Sequence, residues 1–228
     1  MEYIGNELEL FEHASNWKKY YASNISKHIQ GNVLEVGAGL GANTKFLIND
    51  QVTSWTYVEP DQKLFSKIEE KNKEISVLQN FVNGTIEDVS QTLYDCIIYI
   101  DVLEHIEYPK QEILKIKDKL ALGGKLIILV PAYQSLFSEF DKNIGHFRRY
   151  DKKMLLQHVN NELKKTTLFY LDSVGLLASV ANKYILKKGS PSVENVIFWD
   201  EKLIPCSKIS DQLIGKSMGK SLIGIFQK

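Results

Sequence analysis

The sequence carries no excess of either charge: 28 Lys and Arg stand against 28 Asp and Glu in 228 residues. Without a basic balance there is no long-range pull toward a polyanion, so no nucleic-acid partner is expected. Cysteine is nearly absent. Cys96 lies inside an apolar run and Cys206 far away after Pro205, which reads as two unpaired thiols in a reducing compartment, and no metal site is expected. Long hydrophobic runs are also missing. The first thirty residues include Glu2, Glu7, Glu9 and Glu12, so neither a secretory leader nor a membrane span is expected, and the expected compartment is the cytoplasm. Internal repeats and low-complexity tracts are absent as well. The remaining composition, 44% hydrophobic and 25% charged, suffices to bury a full core, consistent with a single domain over residues 1–228.

Residues 33–41 read V-L-E-V-G-A-G-L-G, a buried-strand run followed by three alternate glycines. Gly37, Gly39 and Gly41 remove Cβ atoms from one side of a turn, so the main chain can bend sharply and its N–H groups can approach a ligand. The dinucleotide fingerprint is GxGxxG, whereas the spacing here is GxGxG with Glu35 two residues before the first glycine. A predicted strand at residues 55–58 ends in Glu59-Pro60-Asp61. A carboxylate at that strand end can accept from both hydroxyls of a nucleotide ribose, so Glu59 is the expected ribose ligand. NAD enzymes place an acid similarly, and Glu59 alone does not separate the two cofactors.

The rest of the chain alternates strand and helix, as a parallel sheet needs. A helix over 61–73 with Asp61 as N-cap, a strand at 75–79 and a continuous apolar strand at 94–100 are predicted. A helix over 111–120 and a strand at 126–130 follow, with a helix over 153–159. Strands at 166–171 and 221–226 complete the sheet. The segment 172–220 exceeds what the sheet requires. It shows a helical apolar pattern over 173–188 that stops at Lys187, Lys188, Gly189 and Pro191, and it reads as a helical insert, a lid, a dimer surface or a membrane-surface contact through 173–204. Residues 1–30, with Trp17, Tyr20 and Tyr21, read as a helical cover over the cofactor end.

The glycine loop with Glu35 resembles motif I of class I S-adenosylmethionine-dependent methyltransferases. That resemblance implies an α/β, Rossmann-like mixed sheet of seven strands, the last antiparallel beside the fifth, with helices on both faces and a helical insert before the last strand. It also implies S-adenosylmethionine as cofactor and S-adenosylhomocysteine as product. The adenine-covering loop would be 83–88, with a backbone contact at Ile86. Thr85 stands where the family places an Asp, and it also reads as the cap of a Thr-x-x-Asp turn. Asp101-Val102-Leu103-Glu104-His105-Ile106 resembles the LEHI segment of small-molecule and lipid-pathway methyltransferases, with backbone near Asp101 and the packing of Leu103 serving the methionine part. His105 reads either as a base or as a structural histidine. The Asn/Asp-Pro-Pro-aromatic tetrad of base and glutamine methyltransferases is absent.

After the strand at 126–130 come Tyr133 and then His146-Phe147-Arg148-Arg149-Tyr150. This H-x-R-R-Y segment resembles a branch accompanying bacterial glycan and lipid-linked sugar pathways. Loops leaving the carboxyl ends of parallel strands form the ligand crevice. His146 is the expected base for a hydroxyl or amine acceptor, and Tyr133, Arg148, Arg149 and Tyr150 the expected substrate contacts. The same residues also fit a surface helix start, with Arg149 in a salt bridge. The reaction expected is in-line methyl transfer to O or N of a small molecule, glycan or lipid-linked intermediate, with a homodimer left open. A nicotinamide oxidoreductase or a non-catalytic scaffold of the same fold remains as an alternative.

Overall fold

The computed structural model describes residues 7–90, 92–159, 162–186 and 192–228. Its elements in chain order are α1 (Glu7–Glu12), α2 (Ser15–Ile25), β1 (Gly31–Val36), α3 (Thr44–Leu47), β2 (Val52–Glu59), α4 (Gln62–Lys71) and β3 (Leu78–Asn83). Then follow β4 (Tyr94–Ile100), α5 (Pro109–Lys119), β5 (Leu120–Pro131), α6 (Glu139–Asn143), α7 (Lys152–Val159) and β6 (Lys164–Leu171). The last elements are α8 (Ser173–Ala181), α9 (Val193–Phe198), α10 (Ile204–Leu213) and β7 (Ser221–Gln227).

The seven strands form one sheet in the order β3-β2-β1-β4-β5-β7-β6. The β1–β2, β1–β4, β2–β3 and β4–β5 pairs are parallel, and β7 runs antiparallel to both β5 and β6. This is the Rossmann-like methyltransferase sheet. Two apolar layers cover its faces. Val33, Cys96, Ile98, Ile127 and Leu129 point into one, and Leu34, Ile97, Tyr99, Leu126 and Ile128 into the other. Both faces of β4 and β5 are therefore dry, which is why these strands read as unbroken apolar runs rather than alternating ones. The strand order reverses between β1 and β4, where ligands bind in open α/β sheets.

Three expected boundaries need correction. β3 is residues 78–83 rather than 75–79, because it is an edge strand whose alternating, half-exposed LQNFVN carries a weaker apolar signal than the preceding turn. β5 begins at Leu120 rather than at 126. Its glycine stretch is held in the sheet region by Gly123 N–H donating to the Lys228 carbonyl. The helix expected over 173–188 is α8 followed by a wider turn at Asn182–Leu186, and its predicted stop at Lys187 to Pro191 lies outside the described residues. Asp61 is the N-cap of α4 as expected, accepting from the backbone N–H groups of Lys63 and Leu64.

The helices between β6 and β7 are tied to the N-terminal ones by buried aspartates. Asp211 accepts from the N–H groups of Asp172 and Ser173 and from the Tyr20 hydroxyl at 2.9 Å. Asp200 accepts from the N–H groups of Asn16 and Trp17, satisfying donors at the start of α2. Tyr20→Phe removes one bond to a charged acceptor and is expected to cost about 2 kcal/mol. A urea midpoint shift with unchanged slope measures this loss. Among the described residues no helix is long and apolar enough to cross a membrane.

Candidate active site

Three loops leave the carboxyl ends of β1, β2 and β4 at the reversal point. In the first, Gly37, Gly39 and Gly41 all have positive φ, at 67°, 59° and 69°. A Cβ on Gly37 would lie 2.5 Å from Val102 Cγ2, and one on Gly41 2.2 Å from Asn72 Nδ2. Backbone conformation thus requires all three glycines, and close packing adds to it at Gly37 and Gly41. The expectation that the loop's N–H groups reach for a ligand is corrected for three of them. Ala38 N–H donates to the Val58 carbonyl, Gly41 N–H to the Ala38 carbonyl and Gly39 N–H to Glu59. They are spent within the protein, and the following helix α3 has only four residues. This is a poor cradle for a pyrophosphate, which needs free N–H groups at a helix start.

Glu35 is buried behind the loop and accepts from Asn43 Nδ2, Thr44 Oγ1 and Trp55 Nε1 at 3.0–3.1 Å. Burial raises its carboxyl, against the pull of those three donors. Glu59 is also buried. Its Oε2 accepts from Gly39 N–H at 2.7 Å and its Oε1 from Asp61 N–H at 2.9 Å, so it joins the first loop to the second. Each oxygen keeps further acceptor capacity. Pro60 is half-buried between them. On the next loop Thr85 caps a single turn with Asp88 in a reciprocal capping box, and Ile86 is buried in the core. The capping reading of Thr85 is therefore the one its side chain realises.

Asp101 follows β4 with φ 53°, a conformation uncommon outside glycine and frequent at functional sites. Its side chain is open to solvent, yet protein surrounds it closely. Desolvation pushes the carboxyl up to about 6, while His146, Lys220 and Lys18 pull it down. Leu103 is fully buried beneath it.

The opposite wall comes from the 141–150 segment. Phe147 N–H donates to the Glu104 carbonyl, which docks that segment on the turn after β4. His146 Nδ1 lies 3.0 Å from Asp141 Oδ1, and Asp141 is held in turn by the Arg149 fork, Nε to Oδ1 at 2.8 Å and an Nη to Oδ2 at 2.9 Å. The Asp141 carboxyl is held well below its usual range by His146 and Arg149, which outweigh its burial. The His105 and His146 rings meet edge to face with centroids 4.5 Å apart. Burial, and then His146, lower the His105 imidazole to about 4.

The other expected substrate contacts have protein partners. Arg148 donates to the Ile106 and Glu107 carbonyls, and Arg149 is the fork on Asp141, so two N–H groups of each guanidinium are engaged within the protein. Tyr150 is fully buried with its hydroxyl donating to the Leu103 carbonyl at 3.2 Å. Tyr133, with φ 64°, stacks on Tyr170 at 5.2 Å. Two residues of the site were given no specific role from sequence, although Asp141 lay in the stretch expected to face the methyl group. Glu104 hides inside the LEHI run, where alternation gives no sign that a charged residue faces inward. Asp141 carried a readable signal, the Ser138-x-x-Asp141 spacing of a capping box.

A family model described as "Methyltransferase domain" matches residues 10–173. No curated protein sequence matches. Among solved structures, the N-methyltransferase NodS from Bradyrhizobium japonicum WM9 aligns at TM-score 0.58 and 16% identity over 96% of each chain. A structure of NodS in complex with S-adenosyl-L-homocysteine aligns at TM-score 0.57 and 12% identity, covering 93% of this chain and 85% of that one. A putative sarcosine dimethylglycine methyltransferase from Galdieria sulphuraria aligns at 0.61 and 16%, covering 94% of this chain and 85% of that one. With the sheet order and the glycine loop in place, the family match over most of the chain establishes that this protein belongs to the methyltransferase domain family and is a class I methyltransferase.

Proposed function

We propose that the chain transfers a methyl group from S-adenosylmethionine to an oxygen or nitrogen of a small acceptor held between the glycine loop and the His146 segment. The observation carrying this reading is the pair of carboxylates, Glu59 and Asp101, on either side of a glycine loop whose three characterised N–H groups are already paired. That lining suits a cofactor with a ribose and positive charge but no phosphate, and it disfavours a dinucleotide. Glu59 would hold the ribose, Asp101 the cationic methionine end, and the backbone of Gly37 and Gly39 would flank it; Thr85 and Ile86 would border the adenine. When bound, S-adenosylmethionine supplies a methyl group already activated on a sulfonium centre.

The protein's own work is then positioning and exclusion of water. His105 and His146 face the acceptor side, and Asp141 with Arg149 fixes the His146 ring. The acceptor proposed is a small molecule, with a glycan or lipid-linked intermediate as its finer form. Supporting that form, Lys183 donates to the Ser135 and Phe137 carbonyls, so the helical insert sits beside the acceptor loop. The insert also leaves Leu177, Tyr184 and Phe198 more than half exposed, a surface suited to an apolar chain, a membrane surface or a second copy.

Calorimetric titration tests the cofactor assignment. S-adenosylmethionine is expected to bind and NAD not to, and Glu59→Gln to weaken binding about 10-fold or more, since an amide N–H would oppose a backbone donor. Preferential binding of NAD would overturn the proposal. Incubation with a labelled methyl donor across sugar, lipid and small-molecule pools identifies the acceptor, and a scaffold protein would leave every pool unlabelled.

A further inference from the structure

Glu104 is the most unusual polar group in the described protein. It has no exposed surface, and neither carboxylate oxygen has a hydrogen-bond partner among the described residues. Leaving a carboxylate so buried costs several kcal/mol unless something pairs with it. Two imidazoles adjoin it. His146 Nε2 lies 3.8 Å from Glu104 Oε1, and ligand atoms of Glu104, His105 and His146 all fall within 4.8 Å of one another.

We infer that Glu104, His105 and His146 bind a divalent first-row transition cation whose open positions face the acceptor crevice. Two nitrogens and one carboxylate form a donor set that suits such an ion better than magnesium or calcium, which take mainly oxygen. Ligands about 2.1 Å from one ion stand roughly 3–4 Å apart, so small side-chain rotations close the set. The outer contacts are those of a supported site. His146 Nδ1 is engaged by Asp141, the carboxylate–histidine arrangement that orients a metal-binding ring and leaves Nε2 as the donor. His105 Nδ1 faces Gly145, where an added Cβ would lie 3.7 Å from it. Charge balance agrees. Lys220 and Lys18 act on Asp101 and the Arg149 fork holds Asp141, while Glu104 has no ion pair with a lysine or arginine among the described residues.

This inference deepens the methyltransferase reading and rests on it for the role of the ion. His146 would serve the acceptor as a ligand of the cation rather than as a free base, with the acceptor's oxygen or nitrogen completing the coordination. The site itself is tested without activity. Full-length protein stripped of metal is titrated with Co²⁺ and then Zn²⁺, followed by visible absorption, calorimetry and melting temperature. One equivalent is expected to bind, with Co²⁺ bands and a rise in melting temperature. Glu104→Gln and His105→Gln are each expected to weaken binding about 100-fold or more, beyond the 10- to 100-fold typical of an outer contact.

Absence of binding, or binding unchanged in both variants, overturns the inference. S-adenosylhomocysteine binding to the same samples shows that the variants are folded and separates the two readings. Cation binding without cofactor binding would remove the methyltransferase assignment of this crevice and keep the metal site; the reverse would remove the metal site alone.

Discussion

His146→Ala is expected to lower turnover about 100-fold or more while leaving S-adenosylmethionine affinity nearly unchanged. In the proposed reading its ring faces the acceptor, and its orientation is fixed by Asp141, which two Arg149 bonds hold in place. Loss of a positioned group that handles the acceptor's proton costs about 10²–10⁴ in rate, whether it acts directly or through a cation. The proposed cofactor contacts lie on different loops, so the binding isotherm should not move. Asp141→Asn keeps the ring and loosens its support, and should fall between wild type and His146→Ala. Near-normal turnover of His146→Ala with the true acceptor would remove the residue from this role.

Gly37→Ala should damage stability and cofactor binding together. A left-handed φ of 67° costs an L-residue about 1–2 kcal/mol. The added methyl would also sit 2.5 Å from Val102 Cγ2 and 3.0 Å from Cγ1, and a β-branched side chain has few rotamers in which to yield. Together these give a loss of about 2–4 kcal/mol in a denaturant titration. Val102 adjoins Asp101, so relief of the overlap moves the far wall of the crevice, and affinity should fall at least about 10-fold. The double variant Gly37→Ala/Val102→Ala should recover the steric part and not the conformational part. Unchanged affinity in the single variant would show that this loop does not shape the cofactor site.

The two kinds of site residue differ in how far sequence could place them. Gly37, Gly39, Gly41 and Glu59 were legible because their conformation and place depend on local spacing, a strand end followed by a turn. The H-x-R-R-Y segment was legible as a group of chemical residues at a strand's carboxyl end. What each side chain does there was not, since that depends on partners far along the chain. Arg148 and Arg149 read as an anion clamp or, for Arg149, as a salt-bridge residue with its partner unnamed; in the fold Arg148 donates to the Ile106 and Glu107 carbonyls and Arg149 pairs with Asp141. Thr85 read as an adenine neighbour or a cap, and its hydroxyl is committed to Glu87 and Asp88. The edge strand β3 was misplaced by three residues at its start because half-exposed strands carry little apolar signal.

By itself the sequence determined the order of strands and helices, the apolar central strands, the loop that must be glycine and the carboxylate that follows the second strand. These follow from periodicity and backbone sterics, which act over a few residues. The tertiary structure alone decided that Glu104 is buried without a hydrogen-bonding partner among the described residues, that His105 and His146 meet across 40 residues of chain at a ring separation of 4.5 Å, and that Asp141 orients one of them. Burial and through-space charge depend on how β4 and the segment after β5 are brought together, and no local pattern encodes that distance.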